Sequence, residues 1–255
     1  MCFPTDATPP IEPLAGAAID SERLTLRSED GTQFMARAAH PSEPAPGSPA
    51  IVVMPDVRGL FPFYEELALR FAEQGTEAVA IDYFGRTTEL DSSRGEDFEF
   101  MEHIAQTSPS TVAMDVRAAV EYLRRGPAGR PIFTVGFCFG GTHSWLQAAS
   151  GHGLAGAIGF YGMPVSFRAG KDPVAPITRV EDFACPVLGL MGGADTYIPS
   201  EHSEQFREAL STARVDHEIV VYPGAPHSFF DRQRSEYQSE SDDAWRRIQE
   251  FVAQP

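Results

Sequence analysis

Cysteine is scarce. The 255-residue chain has three, Cys2, Cys138 and Cys185, and no Cys-x-x-Cys pair. That excludes a disulfide framework and a thiolate zinc site. Basic residues are outnumbered, with 20 Lys and Arg against 36 Asp and Glu, a formal net charge of −16. An acidic chain without a basic run does not suit a polyanion, so nucleic acid is not expected as a partner. Long apolar runs are missing too. No stretch approaches the ~18 residues that a membrane-spanning helix needs. The opening residues, Met1-Cys2-Phe3-Pro4-Thr5-Asp6, lack the basic and apolar regions of a secretion signal. These absences lead us to expect a cytoplasmic chain with reduced thiols and no membrane partner. Neither Gly-x-Gly-x-x-Gly nor His-Glu-x-x-His occurs, so no cofactor and no metal are expected.

What is present reads as one α/β domain. Hydrophobic residues make up 42% and charged residues 22% of the chain, an ordinary globular balance. Residues 1–18, rich in Pro and Ala, read as an arm, and 19–255 as a single domain. Asp30-Gly31 between the alternating runs at 24–27 and 34–37 predicts a hairpin. The compact apolar runs at 51–54, 78–81, 132–135, 155–161 and 187–191 predict buried strands, and 218–222 predicts another. Helices are expected over 64–74, 96–106, 110–125, 140–149, 203–213 and 244–252. Short strands alternating with helices imply a mostly parallel central sheet with helices on both faces.

The segment Gly136-Phe137-Cys138-Phe139-Gly140 lies between a predicted strand and a predicted helix. It fits Gly-x-nucleophile-x-Gly, the sharp turn of the α/β-hydrolase fold. Small residues flank such a turn because the backbone is strained and crowded. A helix begins there, and its positive end suits an anionic nucleophile. A buried structural cysteine on a Gly-rich turn would look similar, so the partners decide.

Two more reactive groups follow in the order this fold uses. Gly192-Gly193-Ala194-Asp195 places a carboxylate just past one strand, and Ala225-Pro226-His227 places an imidazole past the next. Three groups at consecutive strand ends can converge at one edge of a parallel sheet. Cys138, His227 and Asp195 are thus expected to act as nucleophile, base and orienting acid. The N–H groups of Phe139 and Val57 are expected to form the oxyanion hole.

These pieces, with Gly-Phe-Cys-Phe-Gly-Gly at 136–141 and Gly-Ala-Pro-His-Ser-Phe at 224–229, resemble the dienelactone hydrolase (carboxymethylenebutenolidase) family. The resemblance runs from about Ile51 to the final helix. It implies a cysteine-dependent hydrolase of small-molecule esters or lactones. It also implies a glutamate after the early strand that modulates the nucleophile, and here Asp56 stands at that position. Arg86 matches one arginine of a clamp for a substrate carboxylate. The second is expected four residues after the histidine, where this chain has Asp231, with Arg232 next. Arg58 is a further candidate, and Phe137 and Phe139 are expected in the pocket wall. The aromatics Phe61, Phe63, Tyr64, Tyr83, Phe84, Tyr161, Phe229 and Phe230 suit either that wall or the core. The same triad could serve a phosphotriester or thioester hydrolase, and Cys138 alone a redox sensor. A monomer or weak homodimer is expected.

Overall fold

A computed structural model describes residues 4–90, 94–95 and 97–254, so Cys2 lies outside the described residues. Eight strands form one sheet: β1 Ile19–Arg27, β2 Gln33–Pro41, β3 Ala50–Met54, β4 Glu77–Ile81, β5 Ile132–Phe137, β6 Gly156–Phe160, β7 Val187–Gly192 and β8 His217–Tyr222. Their order is β1-β2-β4-β3-β5-β6-β7-β8. Strand β2 pairs antiparallel with β1 and β4, and every other pairing is parallel. The expected hairpin forms, with Leu26 opposite Phe34. The fold is that of an α/β-hydrolase, as expected.

Helices cover both faces of the sheet. They are α1 Pro62–Glu73, α2 Phe100–Ile104, α3 Pro109–Leu123, α4 Phe139–Gln147, α5 Ser200–Thr212 and α6 Gln238–Val252. Strand β3 shows why both faces need cover. Side chains of successive strand residues point to opposite faces. Ile51 and Val53 pack in one core with Leu67 and Phe71 of α1 and Ile248 of α6. Ala50, Val52 and Met54 pack in another with Val112 and Val116 of α3. Burying each Val or Ile contributes about 1.5–3 kcal/mol, so a strand apolar on every residue is stable only between two layers.

Some boundaries move from expectation. Helix α2 is shorter than the helix expected over 96–106. Its neighbour α3 begins at Pro109, whose missing N–H costs nothing in a first turn. Ser108 caps α3, and its side chain accepts from the Thr111 N–H at 3.2 Å. Helices α5 and α6 each start upstream of the apolar periodicity.

Residues of the arm lie along the segment that follows β8. Thr8 N–H donates to the Asp231 carboxylate at 3.2 Å, and Arg232 N–H donates to the Thr8 carbonyl at 3.0 Å. Gln233 and Gln238 donate to the carbonyls of Asp6 and Pro10. Ala7 is buried in the main core.

The strand order also locates a crevice. From β3 the chain moves to β4 on one side, and from β5 onward it moves to the other. Loops leaving the carboxyl ends of β3 and β5 therefore diverge, and a ligand crevice opens between them.

Candidate active site

Cys138 sits in that crevice. Strand β5 ends at Phe137 and α4 begins at Phe139, so Cys138 alone makes the turn. It takes φ 54° and ψ −110°, a conformation that costs a non-glycine residue about 1–3 kcal/mol. The surroundings hold it there. Its N–H donates to the Phe160 carbonyl at 3.0 Å, and its own carbonyl accepts from Thr142 N–H at 3.1 Å. The flanking glycines are required by contact. A Cβ on Gly136 would lie 1.9 Å from the Gly140 carbonyl oxygen, and one on Gly140 2.1 Å from that of Met54.

His227 and Asp195 meet. His227 Nδ1 lies 2.6 Å from Asp195 Oδ2. An ionised carboxylate can only accept, so Nδ1 carries a proton, and in the neutral imidazole Nε2 is then the acceptor nitrogen. The other carboxylate oxygen, Oδ1, accepts from Tyr197 N–H at 2.7 Å and Ile198 N–H at 3.2 Å. The Asp195 side chain is 1% exposed and that of His227 9%. Tyr161 packs against one side of the imidazole, with ring centroids 4.9 Å apart, and Tyr197 against another at 5.3 Å.

Cys138 and His227 line one cavity of about 330 Å³. Val57 and Phe139 line it as well. Phe139 opens α4, so its N–H has no acceptor within the helix. Among the described residues no acceptor takes either the Val57 or the Phe139 N–H. The rest of the wall includes Phe100 and Met101 from α2, and Met163 and Phe167 from the loop after β6. Thr142 lines it too, with its hydroxyl occupied, since that oxygen accepts from Met163 N–H at 2.8 Å.

The residues expected to bind substrate lie elsewhere. Phe137 is 1% exposed and packs in the core, its ring stacked on Phe160 at 4.6 Å, because strand alternation turns it beneath the sheet edge. Arg86 forms a pair with buried Asp115, Nη2 to Oδ1 at 2.7 Å, and its Nη1 also bonds Asp30 and Thr32. Arg232 bonds the Ile11 carbonyl at 2.7 Å and so serves the arm. Arg58 is buried, with its guanidinium 4.2 Å from the Phe61 ring centroid. The carboxylate clamp suggested by resemblance is therefore not assembled in this cavity. At the second clamp position, Asp231 instead accepts the arm and the Gln233 N–H.

Asp56 is fully buried, and burial raises its carboxyl pKa. Its Oδ1 accepts from Arg58 N–H at 2.9 Å, a turn-capping bond within its own loop. It does not line the cavity. Its neighbour Tyr83 donates to the Pro55 carbonyl at 2.5 Å. Burial first, and then the charges of Asp56, Asp82 and Cys138, push the Tyr83 phenol well above its usual range. Among the described residues no group of three or more His, Cys, Asp or Glu could hold a metal. No helix among them is long and apolar enough to cross a membrane.

Sequence reasoning passed over His143. It is 1% exposed on α4 and packs on Phe139 at 4.4 Å and edge-on to Phe167 at 5.4 Å. Burial pushes its pKa down to about 3, so it is neutral. Its place seven residues after the elbow glycine gave no motif signal.

The sequence pattern of the dienelactone hydrolase family matches residues 34–255. The chain belongs to the dienelactone hydrolase family. A relative in Yersinia pestis, named "Putative carboxymethylenebutenolidase", is 32% identical over 234 residues, which is 90% of this chain and 87% of that protein. A solved structure from Klebsiella pneumoniae, a "Putative Dienelactone Hydrolase", superposes with TM-score 0.83 at 27% identity. It covers 93% of this chain and 100% of its own. A "Dienelactone Hydrolase-like Promiscuous Phospotriesterase" from metagenomic libraries has the same fold, with TM-score 0.75 at 19% identity over 92% of this chain and 98% of that one. This dienelactone hydrolase family member is therefore a hydrolase.

Proposed function

We propose that this hydrolase cleaves carboxylic esters or lactones with Cys138 as nucleophile, His227 as base and Asp195 as orienting acid. The observation that carries the reading is the 2.6 Å bond from His227 to Asp195, made by an imidazole that shares one cavity with the cysteine of the elbow. With Nδ1 committed, Nε2 takes the thiol proton. The Cys138 sulfur bonds to the carbonyl carbon, and the carbonyl electron pair moves to oxygen. Val57 and Phe139 N–H groups stabilise that oxyanion. The intermediate collapses, the carbon–oxygen ester bond breaks, and His227 gives its proton to the departing alkoxide. Water then attacks the thioester, His227 takes one of its protons, and the freed thiolate recovers it.

A panel of aryl esters, lactones and phosphotriesters tests the reading, with wild type and Cys138→Ala side by side. Ester or lactone turnover lost in Cys138→Ala, with an acyl adduct on the wild-type chain by intact mass, is the expected result. No turnover by a folded wild type, or equal turnover by the variant, would sink it. A second reading, phosphotriester hydrolysis, is favoured by the cavity wall without lysine or arginine and by the activity named for the metagenomic neighbour. It predicts an adduct of phosphoryl mass instead.

A further inference from the structure

We infer that the cavity selects esters or lactones that are uncharged and apolar around the scissile bond, and rejects those bearing a carboxylate. The inference rests on the ester or lactone reading above and names the substrate class for that site.

The wall is the first ground. Val57, Phe100, Phe139, Met163, Phe167 and Ala169 give it an apolar lining, and among the described residues no lysine or arginine joins them. The polar groups present are the Cys138 thiol, His227, Tyr161, Tyr197, the occupied Thr142 hydroxyl and the Val57 and Phe139 N–H groups, and none is a lysine or arginine. A carboxylate entering this space would lose its water and gain no cationic partner. Burying an unpaired charge is among the costliest events in a protein.

The second ground is where the cations went. Arg86 is held by Asp115, Asp30 and Thr32, and Arg232 by the arm. Freeing Arg86 would leave Asp115, 1% exposed, without its ion-pair partner. Arg86 cannot move to the cavity without stranding that buried carboxylate, and Arg232 lines a separate groove with Ile11 and Glu12 of the arm. Arg168, between Phe167 and Ala169 in the chain, is exposed and not part of the wall, so water and salt screen it.

The third ground is the rim. Leu14, Met101 and Tyr197 are the exposed large hydrophobics among the described residues, and two of them, Met101 at 64% and Tyr197 at 59%, border this cavity. Apolar surface thus continues out of the mouth, where an apolar acyl or alcohol group can cover it. The overall charge of −16 adds a weak bias against anions.

The test uses the full chain and a matched pair, 4-nitrophenyl butyrate and the 4-nitrophenyl monoester of succinic acid. The butyrate is expected to be favoured at least about 100-fold in kcat/KM, the scale set by an unpaired buried charge. Equal or preferred turnover of the succinate ester would overturn the inference. Affinity of Cys138→Ala for the same two esters, measured by calorimetry, reads the cavity apart from the chemistry. The butyrate should bind at least about 10-fold tighter. Equal or reversed affinity, or binding of neither, overturns the inference whatever the turnover assay gives. Turnover of neither ester beside a retained binding preference would instead count against the proposed reaction. In Arg168→Ala the kcat/KM ratio should stay within about twofold. A selective loss of succinate ester turnover there would reveal a cation at the site and overturn the inference.

Discussion

Asp195 binds three hydrogen-bond donors with two oxygens, and only one donor is a side chain. Oδ2 takes His227 Nδ1 at 2.6 Å, while Oδ1 takes the N–H groups of Tyr197 and Ile198. The carboxylate is thus fixed by its own loop before it fixes the histidine. An asparagine can keep the two backbone bonds through its amide oxygen but turns its NH₂ toward Nδ1. That reverses the tautomer. Asp195→Asn is expected to fold with an unchanged circular dichroism spectrum and to lose about 10²–10⁴-fold in kcat. An unchanged kcat would remove Asp195 from the proposed triad.

Gly140 touches the backbone of a different strand's exit. A methyl group there would stand 2.1 Å from the Met54 carbonyl oxygen and 2.3 Å from that of Pro55. Neither can retreat without disturbing β3 and the loop that carries Val57. Gly140→Ala is expected to cost about 3 kcal/mol or more, above the usual overpacking range because backbone has to move. Calorimetry should register this as a Tm lower by roughly 6–12 °C. A Tm within two degrees of wild type would mean that the turn is looser than its contacts imply.

His143 gives a pH dependence of definite sign. Its folded pKa, about 3, lies below the ordinary 6.5. Between those values the unfolded chain binds the extra proton, so stability is lost as pH falls through that window. At pH 4.5 the difference amounts to about 2–3 kcal/mol. The gap in stability between wild type and His143→Gln, followed by urea melts from pH 7 to 4, should therefore shift against wild type on acidification. A gap independent of pH would show that His143 is not buried neutral.

The Asp231 carboxylate ties the arm. Removing it leaves Thr8 and Gln233 N–H groups without their acceptor, at a cost of about 1–3 kcal/mol. Limited proteolysis should release the N-terminal residues of Asp231→Ala well before those of wild type. Equal release rates would show that the remaining arm bonds suffice.

The sheet and the placement of Cys138, Asp195 and His227 at its carboxyl edge were legible because each carries a local signature. Apolar runs such as 51–54 and 187–191 are too short for helices and suit strands buried on both faces. The turn at Cys138 needs small residues at fixed offsets, and Asp195 and His227 follow strands whose ends lie side by side. The cavity wall was not legible. Phe100, Met101, Met163 and Phe167 come from a short helix and a loop with no periodicity, and nothing local says that they face Cys138. Arg86 was misplaced for the same kind of reason. The family resemblance put it in a clamp, but Asp115, which captures it, lies 29 residues away. Phe137 was misplaced although strand alternation alone would have turned it inward. Helices α5 and α6 began early because their first turns are polar, and periodicity cannot see a turn with no apolar stripe.

The bond between Thr8 and Asp231 spans 223 positions of the chain. During biosynthesis the arm leaves the ribosome 223 positions ahead of its dock. The arm must therefore wait, unpaired, while the sheet is assembled from β1 to β8. The docking segment also holds the histidine loop, through the bond from Arg234 to the His227 carbonyl at 3.3 Å. A nascent chain can thus build the turn at Cys138 early, but the brace beneath His227 closes only after the segment carrying Arg234 has emerged.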